Sequence, residues 1–199
     1  MSKRVRYQVA VSLDGFIAGP KGDADWIVMD KGVDFKALFN QFDVALMGRK
    51  TYEGGLAQGM NGSMPGMDVV VFSRTLPPVT RKGFRIVNDD PRDVVPALKK
   101  QSGRDIWLFG GGELFRSLLD AGLVDTVEVA VMPVLLGSGV PLMPPGRSTG
   151  LELVDQKILP KSGIVVLAYS VKGGSRPAPP IAFITERKST PTKKAKKKR

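Results

Sequence analysis

The sequence predicts an α/β protein built on a mixed, mostly parallel β-sheet that is covered on both faces. Short apolar segments of strand type alternate with amphipathic helical segments through most of the chain, and its end is rich in strands. The pattern is clearest at residues 105–119, where a buried strand, three consecutive glycines and a helix with apolar residues three or four apart follow one another.

In the first half of the chain, the elements are predicted from periodicity and from helix-start and strand-end signals. A helix begins at Asp34 because Phe35, Leu38, Phe39 and Phe42 recur at helical spacing behind a residue suited to capping. Gly48 interrupts the apolar strand before it. The predicted elements are a strand over 4–13, a loop ending near Trp26, a helix over 34–42, a strand over 44–47 and a short helix over 49–56.

In the second half, Pro91 stands in the first turn of a predicted helix, a position where proline is well tolerated. The last two strands are adjacent in sequence and are expected to pair as an antiparallel hairpin. The predicted elements are strands over 68–72 and 84–87, a helix over 91–100, a strand over 105–109, a helix after the glycines, and strands over 126–132, 151–158 and 164–171.

The glycines 110–112 indicate an anion site. A strand, a glycine turn and a helix start present free backbone N–H groups and the positive end of the helix dipole, and glycine lets a diphosphate approach the backbone. The alternative is a tight turn with no ligand. The spacing is not that of the G-x-G-x-x-G dinucleotide fingerprint, and Glu113 suits the helix dipole better than it suits a phosphate.

Composition excludes several kinds of chemistry. The 199 residues contain no cysteine and no histidine, which rules out disulfides, thiolate nucleophiles, Cys/His metal sites and Ser-His-Asp catalysis. A general acid or base must therefore be Asp, Glu, Lys, Tyr or water. No apolar run of membrane-spanning length and no signal peptide is evident, so we expect a soluble, cytoplasmic protein.

The net charge of +11 belongs mainly to the end of the chain. Residues 173–199 contain nine Lys or Arg and one Glu, so the preceding residues are nearly neutral. We expect a folded domain over 1–172, then a Pro-rich linker and a basic, disordered tail. The tail could contact nucleic acid or another polyanion, or merely aid solubility. Only Ile181–Ile184 could bury apolar surface, on the domain or on a partner chain.

Four segments carry a family resemblance: VSLDGFIA (11–18), LMGRKTYEG (46–54), VVFSRTL (70–76) and LFGGGELF with PVLLGSGVPL (108–142). In this order they resemble the dihydrofolate reductase superfamily, and more closely the reductase domain of the riboflavin biosynthesis deaminase-reductase and its stand-alone relatives. The resemblance covers residues 4–172. It implies a three-layer fold with an eight-stranded, mostly parallel sheet, an antiparallel C-terminal hairpin, about four helices and NADPH as cofactor.

The resemblance also implies the cofactor contacts. Arg49, Lys50, Ser73 and Arg74 would hold the adenosine 2′-phosphate, and two guanidinium groups there favour NADPH over NADH. Individually, each arginine could equally be a solvated surface residue. The implied set is Ala10, Ile17, Gly48, Arg49, Lys50, Thr51, Ser73, Arg74, Phe109, Gly110, Gly111, Gly112, Glu113 and Leu114, with Ala10 and Ile17 at the nicotinamide carboxamide.

Two carboxylates are candidates for proton transfer, since folate reductases use one on the first helix. Asp34 is the nearest match, although it would also serve as the N-cap of that helix. Asp14 is the other, with a turn-forming role as its alternative. The loop from Gly15 to Trp26 would be a lid over the reacting ring, and Trp26 could instead be a core aromatic.

Together these observations predict an NADPH-dependent reductase, a homodimer, that transfers hydride to a C=N or C=O carbon of a small heterocyclic or carbonyl substrate. Three alternatives remain open. The chain could be a dihydrofolate reductase proper, a nucleotide-binding module without catalysis, or a nucleic-acid-associated protein.

Overall fold

The structure, a computed structural model, describes residues 2–174 and 176–184. Its helices are α1 (Phe35–Phe39), α2 (Arg49–Ala57), α3 (Pro91–Lys100) and α4 (Gly112–Asp120). Its strands are β1 (Val5–Ser12), β2 (Phe16–Ala18), β3 (Phe42–Gly48), β4 (Asp68–Phe72), β5 (Val79–Arg81), β6 (Phe84–Val87), β7 (Asp105–Gly110), β8 (Thr126–Met132), β9 (Val140–Pro141), β10 (Leu151–Leu159) and β11 (Ile164–Val171).

Nine strands form the main sheet, in the order β10-β11-β8-β1-β7-β3-β4-β6-β5. The central strands from β8 to β6 pair in parallel, whereas β11 and β10 add an antiparallel hairpin on one side. The predicted α/β fold with a mostly parallel sheet, a C-terminal hairpin and four helices is confirmed. The ninth strand is β5, a three-residue edge strand that runs antiparallel to β6.

Each central strand buries both of its faces. Along β3, Ala45 and Met47 belong to one apolar cluster, while Val44 and Leu46 belong to the other. We call the first side the α1 face, because Leu38 of α1 packs there. The second is the α4 face, where α3 and α4 contribute their buried side chains. The alternation follows from the two-residue period of a strand.

The helix predicted over 34–42 is shorter than its periodicity suggested. It ends at Phe39, and Phe42 instead begins β3, where it is fully buried and stacks on Trp107 with ring centroids 5.2 Å apart. Helical spacing at Phe42 was therefore coincidental. Burial against a neighbouring strand, a contact between distant parts of the chain, outweighs extension of a short helix.

The amino-terminal edge of the sheet carries a buried network of ion pairs. The Arg6 guanidinium donates to both carboxylate oxygens of Glu128 at 2.7 Å, and Glu128 also accepts a hydrogen bond from the Thr126 hydroxyl at 2.8 Å. Asp105 pairs with Arg4 at 2.8 Å. Because every charge has a close partner, the network specifies the alignment of β1, β7 and β8.

Residues 176–184 pack on the domain, so the boundary expected at residue 172 is too early for them. Ala178, Ile181 and Phe183 are each about 95% buried, within the cluster on the α1 face. The Ile181 amide donates to the Asp155 carboxylate at 2.8 Å, and the Phe183 carbonyl accepts from the Asp34 amide at 2.8 Å. Part of the expected linker therefore packs against the domain. We call residues 176–184 the strap. The expected disordered basic end lies outside the described residues.

None of the helices in the described ranges is both long enough and apolar enough to cross a membrane.

We predict that Ile181→Ala lowers the free energy of unfolding by about 2–5 kcal/mol, the cost of emptying a buried isoleucine site. Leu135→Ala removes the same number of atoms from a side chain that is 70% exposed and should cost under about 1 kcal/mol. Urea denaturation of both variants measures the difference. Equal effects would show that the strap does not contribute to the core.

Candidate functional site

Most of the predicted cofactor-binding residues lie at the carboxyl-terminal edge of the sheet. The parallel strands β1, β7, β3 and β4 are consecutive in the sheet and all end there. Gly48, the last residue of β3, is the register partner of Phe72, the last residue of β4. Arg49 and Ser73 therefore follow adjacent strand ends, as expected for a ligand site in an open parallel sheet.

Two helix N-termini meet at this edge without a capping side chain. Gly48 is the N-cap of α2 and Gly111 the N-cap of α4, and neither end has a side-chain acceptor. A Cβ atom built on Gly48 would lie 3.8 Å from the Gly111 nitrogen. In contrast, Asp34 and Asp90 cap α1 and α3. The free N–H groups of α2 and α4 thus share one space and are available to an external anion.

The three glycines of the turn differ in what requires them. Gly110 has φ of +146°, a conformation that favours glycine. A Cβ on Gly112 would lie 3.1 Å from the carbonyl oxygens of both Pro141 and Leu142, so a side chain there would require the neighbouring backbone to move. Gly111 has an ordinary φ of −94°, and a Cβ there would meet only the Thr51 hydroxyl, at 3.1 Å. Neither backbone strain nor backbone packing therefore demands glycine at position 111.

The residues flanking the turn have distinct positions. Phe109 is half-buried on the α1 face, whereas Leu114 is buried on the α4 face. Glu113 is exposed in the first turn of α4, where its charge complements the helix dipole. Leu114 thus anchors the helix, and Phe109 faces the side of the sheet that carries α1.

Cationic side chains surround the ends of β3 and β4. The Arg49 guanidinium donates to Glu53 at 2.8 Å, with both side chains about 40% exposed, and Lys50 and Arg74 are exposed. Such an exposed i,i+4 pair is weak and can exchange partners. Ser73 is buried, and its hydroxyl accepts the Leu76 amide at 2.9 Å. The serine thus shapes the turn that carries Arg74.

A carboxylate shares this corner. The Arg92 side chain, followed by its amide, lowers the pKa of Asp90 to about 2, and the charge of Arg74 contributes a smaller part. Asp90 is therefore an anion at neutral pH. It offsets part of the positive charge that a bound phosphate would meet.

The loop from Gly15 to Trp26, which we expected to be a lid, contains strand β2, and β2 pairs with β9 of a second loop. Phe16 and Ala18 of β2 pair with Pro141 and Val140 of β9, and the Gly15 carbonyl accepts the Leu142 amide at 2.8 Å. Ile17 packs against the α4-face cluster. The segment after Ser12 is thus connected to the loop that packs on Gly112.

Trp26 and Ala10 both contact the cluster on the α1 face and are half-buried. The Trp26 indole donates to the Asp23 carbonyl at 3.3 Å. Trp26 therefore belongs to the rim of the core on the side where α1 lies.

Asp14 connects the end of β1 to the loop after β8. Its carboxylate accepts hydrogen bonds from the Ser12 hydroxyl at 2.6 Å, the Gly137 amide at 2.7 Å and the Leu136 amide at 3.1 Å. The Ser12 hydroxyl is the main cause of a lowered pKa of Asp14, with the two amides adding to it. This geometry fits a loop anchor that stays ionised, and a catalytic role for Asp14 stays a prediction.

Asp34 is exposed and caps α1, accepting the Ala37 amide at 2.9 Å. Its own amide is held by the strap through Phe183. The capping role proposed as the alternative is thus present, and proton transfer by Asp34 also stays a prediction.

The sequence analysis missed two features of the α1 face. Phe39, Trp107 and Phe109 form a row of aromatic contacts, with centroids 5.7 and 5.1 Å apart. Gln8, in the middle of β1, also lies on this side. The available signal was a glutamine within an otherwise apolar stretch of the first strand.

A cavity of about 120 Å³ lies on the other side of the sheet, lined by apolar residues that include Phe115, Val127 and Met143. No ionisable side chain lines it. The cavity contains no group suited to redox or acid–base chemistry, and the glycine turn with its converging N–H groups remains the candidate site.

We predict that Asp14→Asn destabilises the protein at neutral pH and that this difference becomes smaller as the pH falls below about 4. The folded-state pKa of Asp14 lies below its ordinary value, so the anchor is fully present above about pH 4 and is lost as pH falls through the lower, folded-state pKa. Melting temperatures of both proteins between pH 3 and 7 measure this. A difference that stays constant across that range would contradict the anchor.

Comparisons with known proteins agree with this architecture. The family model of the RibD C-terminal domain matches residues 3–165. The uncharacterized protein YyaP of Bacillus subtilis (strain 168) is 33% identical over 183 residues, which cover 86% of this chain and 96% of that protein.

Two solved structures have related folds. A protein from Shewanella sp. PV-4 named for riboflavin biosynthesis superposes with a TM-score of 0.71 and 26% identity, covering 86% of this chain and 99% of the other. Dihydrofolate reductase from Enterococcus faecalis, complexed with NADP(H), gives 0.62 and 15%, covering 86% and 99%, a likeness of fold alone. With the family model matching most of its length, the chain belongs to the RibD C-terminal domain family.

Proposed function

We propose that this protein is an NADPH-dependent reductase that transfers hydride to a C=N or C=O carbon of a small heterocyclic or carbonyl substrate. The observation that carries the proposal is the meeting of two uncapped helix N-termini, at Gly48 and Gly111, beside a cluster of cationic side chains. A dinucleotide with a 2′-phosphate matches both features, because its diphosphate needs N–H donors and its phosphate needs guanidinium groups.

The residues present fit the diphosphate. The first turns of α2 and α4 offer backbone donors, and the Thr51 hydroxyl adjoins the Gly111 position. The space beside Gly111, where an added Cβ would meet only the Thr51 hydroxyl at 3.1 Å, is what a closely approaching phosphate group requires.

The residues present also fit the 2′-phosphate. Arg49, Lys50 and Arg74 would approach it from two adjacent strand ends, with Ser73 holding the turn. Because Arg49 is held only by an exposed pair with Glu53, its guanidinium can turn to the phosphate at small cost.

When bound, the cofactor would supply the hydride. The backbone of Ala10 and Ile17 would orient its carboxamide, and the aromatic row of Phe39, Trp107 and Phe109 would exclude water from the reacting carbon. Asp34 is the candidate proton donor, with water as the alternative.

The family membership and the E. faecalis neighbour complexed with NADP(H) support a nucleotide-dependent oxidoreductase. Screening NADPH oxidation against dihydrofolate, the ribosylamino-pyrimidine phosphate and simple carbonyls tests the proposal. Turnover of the pyrimidine or a carbonyl supports the proposed reductase. Exclusive use of dihydrofolate indicates a folate reductase proper, and cofactor binding without turnover indicates a non-catalytic binding module.

We further propose that the protein is a homodimer. Leu153 and Ile158 on the edge hairpin are 50% and 65% exposed, which offers an apolar surface to a second copy. The polyanion contact expected of the basic end concerns residues outside the described ranges.

We predict that Arg74→Ala removes most of the preference for NADPH over NADH. A charge-assisted contact to the 2′-phosphate is worth roughly 1.5–3 kcal/mol, or about ten- to hundredfold in affinity. Affinity for NADH, which lacks that phosphate, should hardly change. Fluorescence titration with both cofactors measures the effect, and Arg81→Ala, which removes an exposed arginine stacked on Phe84, is the matched control. Equal affinity of the unmodified protein for both cofactors would contradict the assignment.

We predict that Gly111→Ala weakens NADPH binding by roughly tenfold or more, because its methyl group would occupy the space of the diphosphate. The fold should persist, since φ at Gly111 is ordinary. Gly54→Ala adds the same group to α2 where no atom lies within 4 Å and should leave binding unchanged. Cofactor titration with melting temperature as the folding check decides this, and full NADPH affinity in a folded Gly111→Ala protein would count against the site.

A further inference from the structure

Gln8 is a polar residue whose side chain lies on the α1 face of the central strand β1. Its neighbour Tyr7 lies on the other face, where its ring stacks on Phe115 of α4 with centroids 3.8 Å apart. Strand alternation therefore places Gln8 with Arg6 and Ala10 on the side that carries α1. Gln8 stands two residues before Ala10, at the level of Glu128 in the buried ion-pair network.

The polar groups around Gln8 are already engaged. Its register partner on β8 is Glu128, whose two carboxylate oxygens accept hydrogen bonds from Arg6 and Thr126. The Trp107 indole N–H donates to the backbone carbonyl of Gln8 at 2.9 Å and not to its side chain. Among the described residues, none donates a hydrogen bond to the side-chain oxygen of Gln8.

The side-chain oxygen Oε1 of Gln8 is buried and has no hydrogen-bond partner. Within residues 2–174 and 176–184, it is the one buried side-chain nitrogen or oxygen in that condition. A buried acceptor without a partner raises the free energy of the unliganded protein. An unpaired buried acceptor in a central strand needs an explanation. The simplest explanation is that a bound ligand donates a hydrogen bond to it.

The surroundings of Gln8 are suited to a flat ligand. Ala10, Ala130 and Phe109 on the neighbouring strand positions are only half-buried, so this part of the α1 face is open to a ligand. The alanines leave room above the sheet, and Phe109 contacts Trp107 edge-on at 5.1 Å. The last torsion of a glutamine side chain is soft, so its oxygen can turn toward a ligand at little cost.

We infer that the Gln8 carboxamide is a specificity-determining residue that accepts a hydrogen bond from an N–H or O–H group of the substrate. The inference rests on the proposed reductase function and deepens it. A carboxamide offers an acceptor and a donor side by side, which matches a ring edge with a carbonyl next to an N–H group. Gln8 therefore favours substrates with such an edge over simple carbonyl compounds.

The test replaces Gln8 by leucine, which keeps the size and removes the amide. Without ligand, Gln8→Leu should raise the melting temperature by about 2–4 °C, since an unpaired buried acceptor disappears. NADPH affinity should stay the same. For the ribosylamino-pyrimidine phosphate, kcat/KM should fall about tenfold or more, mainly through KM, whereas simple carbonyls should be reduced as before.

Gln41→Leu is the matched control. Gln41 is half-buried, and its side-chain nitrogen donates to the Ala37 carbonyl at 3.4 Å, so leucine there should neither raise the melting temperature nor change substrate preference.

Two results would overturn the inference on Gln8 alone. A lower melting temperature of Gln8→Leu would mean that the amide already has a stabilising partner. An unchanged kcat/KM for the pyrimidine, in a protein that still reduces it with NADPH, would mean that the substrate does not contact Gln8. If the unmodified protein reduces no member of the panel, the reductase function fails, and with it the premise of the inference.

Discussion

The structure depends most on the pairing of β3 with β7, because this pairing brings the starts of two helices together. Both strands run in the same direction and both are followed at once by a helix, so α2 and α4 begin at the same edge of the sheet. The two turns meet at Gly48 and Gly111, where a Cβ atom built on Gly48 would lie 3.8 Å from the Gly111 nitrogen. Each turn presents uncapped N–H groups, and the sheet order places the two sets side by side.

The buried ion pairs and the candidate ligand site lie at opposite edges of the sheet. At the amino edge, the charged groups of Arg6, Glu128 and Asp105 are buried and satisfy one another. At the carboxyl edge, the cations are exposed and the helix ends lack side-chain caps. A paired, buried network fixes strand alignment at the amino edge, while unsatisfied groups at the carboxyl edge leave room for a ligand. Gln8 lies between these two edges. Its side-chain oxygen is a buried acceptor without a hydrogen-bond partner among the described residues.

Contacts between segments that are far apart in sequence involve both predicted catalytic carboxylates. The strap reaches the N-cap of α1 through the hydrogen bond between the Asp34 amide and the Phe183 carbonyl. Asp14 in turn holds the loop that follows β8. Both predicted catalytic carboxylates therefore sit where loops are tied to the core, which gives each of them a structural function whatever its part in the reaction.

The amino-acid sequence by itself determined the fold class and most of the element boundaries. The strands at 68–72, 84–87, 126–132 and 164–171 and the helix at 91–100 begin and end where the apolar pattern and the turn residues predicted. These boundaries depend on local periodicity and on glycine or proline chemistry, which are readable along the chain. The strand–glycine–helix unit at residues 105–120 is visible in the sequence for the same reason.

Tertiary structure alone decided the rest. Phe42 belongs to a strand because its ring packs against Trp107. Ile181 and Phe183 belong to the core because they pack on the α1 face, far from them in sequence. Tertiary structure also brings Gly48 close to Gly111. It likewise leaves the side-chain oxygen of Gln8 without a hydrogen-bond partner among the described residues. Each depends on residues many positions apart whose proximity follows from sheet order. Hydrophobic burial and hydrogen-bond satisfaction are properties of the packed molecule, so a local pattern in the sequence cannot express them.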